Sequence, residues 1–273
     1  ISLLYLMTSK KLIDSLKRQH YSIAGKHSAV QICRWNKKSL LDEGFCYKQK
    51  FYGIKSHKCC QMSPVIDFCQ NRCLHCWRAI ELTSGNKFSG AVDEPKKIIE
   101  DCIAGQRKQL SGFKGNSKVN MKKWEEAQEP ENFAISLIGE PTLYPRLGEL
   151  IKELRKQGKS SFLVTNGLMP EVLKKLEKEK SLPTQLYISL NYPNEIIFRK
   201  LTQNKAKNAW KKFLISLDFM KKLKGKTRRV LRMALIRDLN MQNEKEYAEL
   251  IKSAEADFVE VKGVLIKTKR GEQ

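Results

Sequence analysis

Short apolar segments alternate with amphipathic patterns along most of the chain. Runs rich in β-branched and aromatic residues predict strands, and apolar residues three and four positions apart predict helices between them. Pro95 opens the first of these helices, because proline favours the first helical turn. The predicted strands are 62–68, 133–138, 160–165, 185–190, 228–236 and 258–266. The predicted helices are 95–103, 145–157, 169–179, 208–223 and 243–254.

The order of these elements predicts an α/β fold. A strand, a helix and a further strand in succession build a parallel sheet with crossover helices. Six such strands fit either an open doubly wound sheet or an incomplete (βα)6 barrel, and periodicity alone does not choose between them. Residues 1–60, with one clear helical stretch at 10–19, are interpreted as an N-terminal extension on a compact unit spanning 61–273. Residues 111–131 are interpreted as an irregular polar insertion.

The apolar runs are too short for a membrane. A membrane-spanning helix needs roughly 18 apolar residues, and the apolar opening at 1–7 continues directly into polar sequence. We therefore expect a soluble, cytoplasmic protein without a membrane partner. Because residue 1 is not methionine and the last segment is basic, the sequence is interpreted as part of a reading frame or as a trimmed chain.

The chain is strongly basic. Its 273 residues include 52 lysines and arginines but only 29 acids, a net charge of +23. Such an excess indicates a polyanionic partner, above all nucleic acid, although a lysine-rich solvated surface has the same composition. The segment from Arg199 to Arg232 has thirteen basic residues and one acid, Asp218. We expect this segment to form a local basic face.

The cysteines indicate metal chemistry. They stand at positions 33, 46, 59, 60, 69, 73, 76 and 102. Without a secretory signal, such clustering favours metal binding over disulfides. Cys69, Cys73 and Cys76 form a C-x3-C-x2-C triplet directly after the first predicted strand. Three thiolates on one loop suit an iron–sulfur cube with an open fourth iron, or a zinc site completed by a histidine such as His75 or His57; free thiols are the third interpretation.

Three further cysteines are evenly spaced. Cys33, Cys46 and Cys59 form a C-x12-C-x12-C series, a regularity that three unrelated core cysteines would rarely show. The series predicts a second cluster. Cys60 is a competing ligand that would break the equal interval, whereas Cys102 falls within a predicted helix and is interpreted as a core residue.

Polar segments follow the ends of successive predicted strands. In barrels of βα units, the reacting groups lie at the C-terminal ends of the strands. The triplet follows the first strand, and the next three strands are followed by Gly-Glu-Pro-Thr at 139–142, Thr-Asn-Gly at 165–167 and Ser-Leu-Asn at 189–191. Each segment alone is typical of a turn, a helix cap or a core hydroxyl. Their shared position predicts one catalytic rim.

The triplet and the Gly-Glu-Pro segment resemble the radical S-adenosylmethionine (SAM) superfamily. The resemblance implies an incomplete (βα)6 TIM-like barrel with S-adenosyl-L-methionine as cofactor and a [4Fe-4S] cluster on Cys69, Cys73 and Cys76. An electron from such a cluster splits the sulfonium of the cofactor to give a 5′-deoxyadenosyl radical. By the same resemblance, Gly139 and Glu140 contact the methionine amine, Trp77 lies near adenine, and Asn166 and Ser189 lie near ribose or carboxylate.

Longer matches narrow the family. Residues 25–30, 33–40, 46–54, 110–116 and 134–145 are similar to the tRNA 4-demethylwyosine synthases of wybutosine biosynthesis, and the match extends over 20–262. The resemblance implies a lyase that condenses N1-methylguanosine-37 of tRNA(Phe) with pyruvate to form 4-demethylwyosine. The radical would abstract hydrogen from the N-methyl group. The second [4Fe-4S] cluster, on Cys33, Cys46 and Cys59, fits this family.

Lys48, two residues after Cys46, matches the lysine that holds pyruvate as a Schiff base in this family. An attacking amine must be neutral, and a lysine with its ordinary pKa near 10.4 is neutral only about once in a few thousand molecules at pH 7. Burial or a cationic neighbour such as Lys50 would lower the pKa of Lys48, and a nearby thiolate cluster would raise it. The sequence leaves this balance open.

Two features depart from the family pattern. Asn191 stands where an acid is expected, and the chain ends soon after Gly263. The chain resembles the stand-alone archaeal form, so we expect no flavodoxin-like domain of the kind that eukaryotic relatives carry, and we expect an external electron donor. Two alternatives stay open: a radical SAM enzyme with an auxiliary cluster that acts on another substrate, and a zinc-stapled nucleic-acid-binding protein.

Overall fold

The computed structural model describes residues 9–77 and 79–264. These residues form two compact units. The first contains residues 9–69 and 81–163, and the second contains residues 70–77, 79–80 and 164–264. The predicted boundary at residue 60 falls within a strand, Cys59–Ser63, that pairs on both of its sides.

The first unit contains a mixed sheet. Its strands are β1 (Ser22–Ala24), β2 (Ser28–Val30), β3 (Cys59–Ser63), β4 (Asn132–Ile135) and β5 (Ser160–Thr165), whose last two residues belong to the second unit. β1, β2 and β3 are antiparallel neighbours, and β3, β4 and β5 are parallel neighbours. The predicted extension therefore adds two strands to the sheet. The strand predicted at 62–68 was placed too late, because Pro64 has no N–H to continue the ladder.

Six α-helices accompany this sheet in the described part of the first unit. They are α1 (Lys10–Arg18), α2 (Arg34–Leu40), α3 (Tyr47–Tyr52), α4 (Pro95–Ser111), α5 (Met121–Glu126) and α6 (Leu147–Lys156). Leu12 and Leu16 of α1 pack in one apolar cluster with Ala29 of β2. This contact ties the N-terminal segment to the sheet. α2 and α3 were missed because each is under eight residues, too short for a clear periodicity, and α5 lies inside the segment interpreted as irregular.

The second unit contains three parallel strands. They are β6 (Gln185–Ser189), β7 (Arg228–Leu235) and β8 (Phe258–Gly263), and β7 pairs with both of the others. The helices are α7 (Pro170–Lys178), α8 (Glu195–Thr202), α9 (Ala209–Lys221) and α10 (Glu244–Ala254). Tyr192, Phe198 and Phe213 form the centre of an aromatic cluster between α8 and α9. α8 was not predicted, and residues 265–266 of the last predicted strand lie outside the described residues.

Strands and helices alternate from β3 to β8 as the sequence predicts. The predicted α/β class is confirmed, and five of the six predicted strands agree with the structure to within a few residues. No helix in the described ranges is long and apolar enough to span a bilayer.

Candidate active site

Neighbouring cysteines of β3 point in opposite directions. Successive side chains of a strand alternate between the two faces of its sheet, so Cys59 and Cys60 lie on different faces. Cys60 is completely buried, and this burial, with a contribution from Cys102, raises the pKa of its thiol well above the ordinary value. Burial also raises the pKa of Cys102. Cys60 and Cys102 are thus neighbouring core thiols, and strand geometry separates Cys60 from the face that carries Cys59.

Cys33 and Cys46 each stand at the start of a short helix. Cys33 caps α2, and its Sγ accepts a hydrogen bond from the backbone N–H of Asn36 at 3.3 Å. Cys46 precedes α3, and its backbone N–H donates to Ser56 Oγ at 2.9 Å. The N-terminus of a helix favours a bound negative charge, so both positions suit an anionic metal cluster. Both thiols are partly exposed.

Asn36 joins the helix of Cys33 to the strand of Cys59. Its Nδ2 donates to the backbone carbonyls of His57 and Cys59, each at 3.0 Å. The side chain is completely buried, and its Oδ1 has no hydrogen-bond partner among the residues that the structure describes. Sequence reasoning missed Asn36, because two of its three contacts are with residues more than twenty positions away. The one available signal was its place three residues after a predicted ligand.

The three evenly spaced cysteines share one electrostatic environment with Lys48. Burial raises the pKa of the Cys59 thiol to about 12; Lys48 opposes this rise, whereas Cys33 and Cys46 add to it. These influences act over short distances, so the structure brings the predicted second-cluster residues and the predicted substrate lysine together. The Nζ of Lys48 also lies 4.7 Å from the ring centroid of the buried Phe162 on β5.

His57 supports this region through a network of hydrogen bonds. Its Nε2 lies 2.8 Å from Glu126 Oε2, and Lys55 Nζ lies 3.2 Å from the same oxygen. Hydrogen bonds from His57 and then Lys55 lower the pKa of Glu126 to about 2. The other ring nitrogen of His57 is 3.4 Å from Ser39 Oγ. Because both nitrogens have protein partners, the geometry argues against His57 as the fourth ligand of a zinc site.

The Gly-Glu-Pro segment packs on the turn that leads to Cys69. Gly139 has a φ of +70°, and a Cβ at this position would lie 2.0 Å from the carbonyl oxygen of Val65. The backbone N–H of Glu140 donates to the carbonyl of Phe68 at 2.9 Å, one residue before Cys69. Only glycine allows the two backbones to approach this closely. Gly139 and Glu140 therefore support the position of the first triplet cysteine.

The carboxylate of Glu140 is almost completely buried. Its Oε1 accepts hydrogen bonds from the backbone N–H of Thr142 at 3.1 Å and from the Thr142 hydroxyl at 2.6 Å. A buried, fixed carboxylate is suited to binding a cationic group such as an ammonium. This chemistry fits the predicted contact with a methionine amine.

In the second unit, the end of α8 holds the loop of Cys73 and Cys76. The backbone N–H groups of Arg72 and Leu74 donate to carbonyls of the last α8 residues at 2.8 and 2.9 Å. Asn204 Nδ2 donates to Asn71 Oδ1 at 2.8 Å. The sequence analysis missed these residues because α8 itself was not predicted. Cys73 and Cys76 are partly exposed, as is Cys69 in the first unit.

The other predicted cofactor residues of the second unit lie near this loop or at strand ends. Asn166 lies directly after β5, and its Nδ2 donates to Gln70 Oε1 at 3.0 Å. Ser189 is the last residue of β6, and Trp77 is 63% exposed directly after Cys76. Gln70 Nε2 and His75 Nδ1 are buried and have no hydrogen-bond partner in the described ranges. The loop thus combines the partly exposed thiols of Cys73 and Cys76 with two buried polar atoms, and this combination is suited to binding a polar group.

Asn191 connects β6 to β7 and to the cysteine loop. Its Oδ1 accepts a hydrogen bond from the backbone N–H of Ala234 at 2.7 Å, and its Nδ2 lies 3.4 Å from His75 Nε2. Burial lowers the pKa of His75. An acid was expected at this position. The side-chain amide of Asn191 instead has a structural role, in which it accepts one hydrogen bond and donates another.

The predicted cluster ligands form a chemically consistent set. The six cysteines of the triplet and of the spaced series are all partly exposed, whereas Cys60 and Cys102 are buried, and none of the eight forms a disulfide. Thiolate ligands on loops and at element ends, with helix N-termini beside two of them, suit iron–sulfur clusters. Within residues 9–77 and 79–264, no three histidine, cysteine or acidic side chains already converge as a metal site.

The basic segment is less uniform than the sequence predicts. Arg229 is only 1% exposed; it donates to both carboxylate oxygens of Asp257 and to the carbonyl of Met220. Its inclusion in an exposed basic face was wrong, because side chains of β7 alternate between the core and the other face. Lys226 pairs with Glu177. Exposed basic side chains remain at positions 200, 205, 207, 211, 222, 224, 226 and 228.

Comparison with known proteins adds an independent line of evidence. The sequence model of the radical SAM superfamily matches residues 63–251. The S-adenosyl-L-methionine-dependent tRNA 4-demethylwyosine synthase of Pyrococcus abyssi is 44% identical over 256 residues, which cover 94% of this chain and 74% of that protein. The synthase of Methanocaldococcus jannaschii is 38% identical, with 95% and 81% coverage.

Solved structures are similar over nearly the whole chain. A structure of TYW1 with a lysine–pyruvate adduct bound matches with a TM-score of 0.86 at 36% identity, covering 97% of this chain and 84% of that one. A crystal structure of archaeal TYW1 matches with a TM-score of 0.77 at 35% identity, covering 94% and 82%. Both alignments extend well beyond the part matched by the superfamily model.

Proposed function

Because the chain belongs to the radical SAM superfamily and, within it, to the tRNA 4-demethylwyosine synthases, we propose that it condenses N1-methylguanosine-37 of tRNA(Phe) with pyruvate. It is a radical SAM enzyme of wybutosine biosynthesis that modifies tRNA and uses S-adenosyl-L-methionine and a [4Fe-4S] cluster. The observation that carries the proposal is the grouping of Lys48 with Cys33, Cys46 and Cys59. This group occurs in a chain similar to one solved with a lysine–pyruvate adduct.

The first cluster is proposed on Cys69, Cys73 and Cys76. This assignment rests on their spacing in the sequence and on membership of the superfamily. When bound, the cluster and its cofactor supply a 5′-deoxyadenosyl radical that can remove hydrogen from a methyl group. In this proposal the buried carboxylate of Glu140 binds the amine of the cofactor. Gly139, Trp77, Asn166 and Ser189 are proposed to bind the remaining parts of the cofactor.

A second [4Fe-4S] cluster is proposed on Cys33, Cys46 and Cys59. Their shared electrostatic environment and the helix N-termini beside Cys33 and Cys46 support this assignment. Bound iron would replace the proton of Cys59, whose thiol otherwise has a raised pKa. Asn36 holds the backbone of Cys59 and the sulfur of Cys33 in place.

Lys48 is proposed to hold pyruvate. The neutral amine attacks the keto carbon of pyruvate; a carbon–nitrogen double bond forms, and the keto oxygen leaves as water. The nearby aromatic face of Phe162 gives this amine an apolar neighbour. A covalent link fixes the three carbons of pyruvate beside the incoming base, which removes the entropic cost of bringing them together in the reaction.

The remaining partners follow from the chemistry. The exposed lysines and arginines between positions 199 and 228 are proposed to contact tRNA phosphates, since phosphate contacts supply most of the sequence-independent affinity. An external electron donor is proposed to reduce the cluster. The cytoplasm, where thiols stay reduced and tRNA is present, is the proposed compartment.

Trapping of pyruvate tests this proposal. Anaerobically reconstituted protein is incubated with radiolabelled pyruvate and borohydride, which reduces a Schiff base to a stable secondary amine. The wild type should retain label and should form 4-demethylwyosine on tRNA(Phe) that carries N1-methylguanosine-37. Lys48→Arg should lose both, because a guanidinium does not form the Schiff base. Lys50→Arg, two residues away in the same helix, is the matched control and should keep both.

Two results would contradict the proposal. Label that persists in Lys48→Arg would show that another amine holds pyruvate. Product formation by that variant at the wild-type rate would show that the reaction does not need the adduct. Iron content and 5′-deoxyadenosine formation, measured in parallel, establish that each variant has folded and has taken up its cofactors.

A further inference from the structure

Three large aromatic side chains are exposed within one short segment, 35–51, of the first unit. In the described part of the chain, five tryptophan and phenylalanine side chains are strongly exposed. Three of them belong to this segment, with exposed fractions of 42% for Trp35, 50% for Phe45 and 63% for Phe51. They lie on α2, on the following loop and on α3. We call these three residues the α2–α3 aromatic surface. Aromatic rings left in water over such a short stretch are typical of a binding surface.

The α2–α3 aromatic surface borders the proposed pyruvate site. Trp35 follows Cys33 by two residues, Phe45 immediately precedes Cys46, and Phe51 lies one helical turn after Lys48. Gly44 also passes close to Trp35, because a Cβ at Gly44 would lie 3.7 Å from Cζ3 of the Trp35 ring. The rings are therefore close sequence neighbours of the residues proposed to form the pyruvate site.

Each end of this surface carries a positive charge beside a ring. Lys38 Nζ lies 5.9 Å from the ring centroid of Trp35, and Lys50 Nζ lies 6.0 Å from that of Phe51. Residues 34–58 contain seven lysines and arginines and only two acids, Asp42 and Glu43. Asp42 already accepts hydrogen bonds from Lys123 and Asn120. The surface is therefore aromatic and positively charged at once.

We propose that the α2–α3 aromatic surface stacks unpaired bases of the tRNA loop that carries the target guanosine. This inference rests on the proposed function. An enzyme that acts on a base must take it out of the stack, so the flanking bases lose a stacking neighbour. Exposed aromatic rings replace that neighbour, and ammonium groups beside them attract the phosphates between the bases.

The spacing of ring and charge favours RNA over a protein partner. In a single strand, every base is followed by a phosphate, and here each ring at the ends of the surface has an ammonium at about 6 Å. An acidic redox protein would be attracted by the same lysines, but it has no need of flat rings beside them. The experiment therefore measures stacking and charge separately.

The test uses the full chain, reconstituted anaerobically, and a fluorescent anticodon stem–loop RNA that carries N1-methylguanosine beside the anticodon. Trp35→Leu and Phe51→Leu remove the aromatic ring but keep an apolar side chain, and each should weaken RNA binding about tenfold. Trp35→Phe keeps a ring and should restore most of the affinity. Phe258→Ala removes an exposed ring in the second unit and should leave the affinity unchanged.

Charge variants complete the test. Lys38→Ala with Lys50→Ala should reduce the slope of log affinity against log salt by roughly two, because about one counterion is released per phosphate contact. The control pair Lys174→Ala and Lys175→Ala, on α7 in the second unit, should change this slope less. Thermal unfolding of each variant is recorded in parallel to establish that it has folded.

The outcomes separate this inference from the proposed function. Unchanged RNA affinity in Trp35→Leu and Phe51→Leu would overturn the stacking surface, and trapping of pyruvate by the same proteins would leave the function standing. Slower cluster reduction by an acidic redox protein, with unchanged RNA affinity, would also overturn it and would assign the surface to the electron donor. Failure of the wild type to bind the RNA or to trap pyruvate would refute the proposed function itself.

Discussion

Replacement of Gly139 by alanine should displace the turn that leads to Cys69. A Cβ at this position would lie 2.0 Å from the carbonyl oxygen of Val65 and 3.0 Å from its carbonyl carbon. Both neighbours are backbone atoms, so no side chain can rotate away. The two chain segments must therefore move apart by at least about 1 Å before the contact becomes tolerable in a close-packed interior.

The size of the effect follows from two contributions. A residue other than glycine at a φ of +70° costs roughly 1–2 kcal/mol in backbone strain. A displacement of about 1 Å near reacting groups can lower the rate about a hundredfold. The hydrogen bond from Glu140 to the carbonyl of Phe68 transmits this displacement to the residue before Cys69. We expect a loss in 5′-deoxyadenosine formation of about a hundredfold.

Gly158→Ala is the matched control. Gly158 has a φ of +69°, and a Cβ there would meet nothing within 4 Å. This variant therefore carries the same backbone strain without the clash. The assay measures the rate of 5′-deoxyadenosine formation, the iron content and the melting temperature of both variants after anaerobic reconstitution. Gly158→Ala should lose a little stability and should keep the wild-type rate.

An equal rate in the two alanine variants would refute this reasoning. It would show that strain at a positive φ is the whole effect and that the packing of Gly139 on Val65 does not position the triplet loop. If Gly139→Ala were slow but kept its iron, the substitution would instead have impaired cofactor binding. We would then expect a higher KM for S-adenosyl-L-methionine.

Three other predictions concern the first unit. Cys59→Ser should lower the iron content by about four atoms per chain, whereas Cys60→Ser should leave it unchanged; equal losses would contradict the alternation of β3. Asn36→Leu should lower the free energy of unfolding in urea by about 2–3 kcal/mol, because a buried and a partly buried carbonyl lose their donor, and a value near zero would contradict this. The pKa of Glu126 is lowered to about 2 in the folded protein. Its ionised carboxylate therefore stabilises the fold at any pH above the unfolded pKa near 4.3, and this stability is lost as the pH falls towards 2. Glu126→Gln should flatten the pH dependence of the urea midpoint between pH 5 and pH 2, and an unchanged profile would show that the contact with His57 is not maintained in solution.

The alternation of strands and helices, and the chemistry of the cysteines, could be predicted from the sequence. Buried parallel strands have nearly continuous apolar runs, so β5, β6 and β7 are visible as local patterns. The spacing of Cys69, Cys73 and Cys76 is likewise local, and the family resemblance rests on such strings. β1 and β2 have only three residues each, which is too few for a period to appear.

Tertiary structure decided which of two similar residues has which role. Cys59 and Cys60 are adjacent in the sequence, but the pleat of β3 sends one towards Cys33 and Cys46 and the other towards Cys102. Arg229 looks like any other residue of a basic run, yet the register of β7 with β8 places it in the core beside Asp257.

The same holds for the residues that hold the site together. The contacts of Asn36 with residues 57 and 59, and that of Gly139 with Val65, join segments that are more than twenty and more than seventy positions apart. Local sequence determines propensity, period and ligand type, because these depend on neighbours along the chain. Which backbone carbonyl meets which donor depends on how distant segments pack, and only the folded chain contains that information.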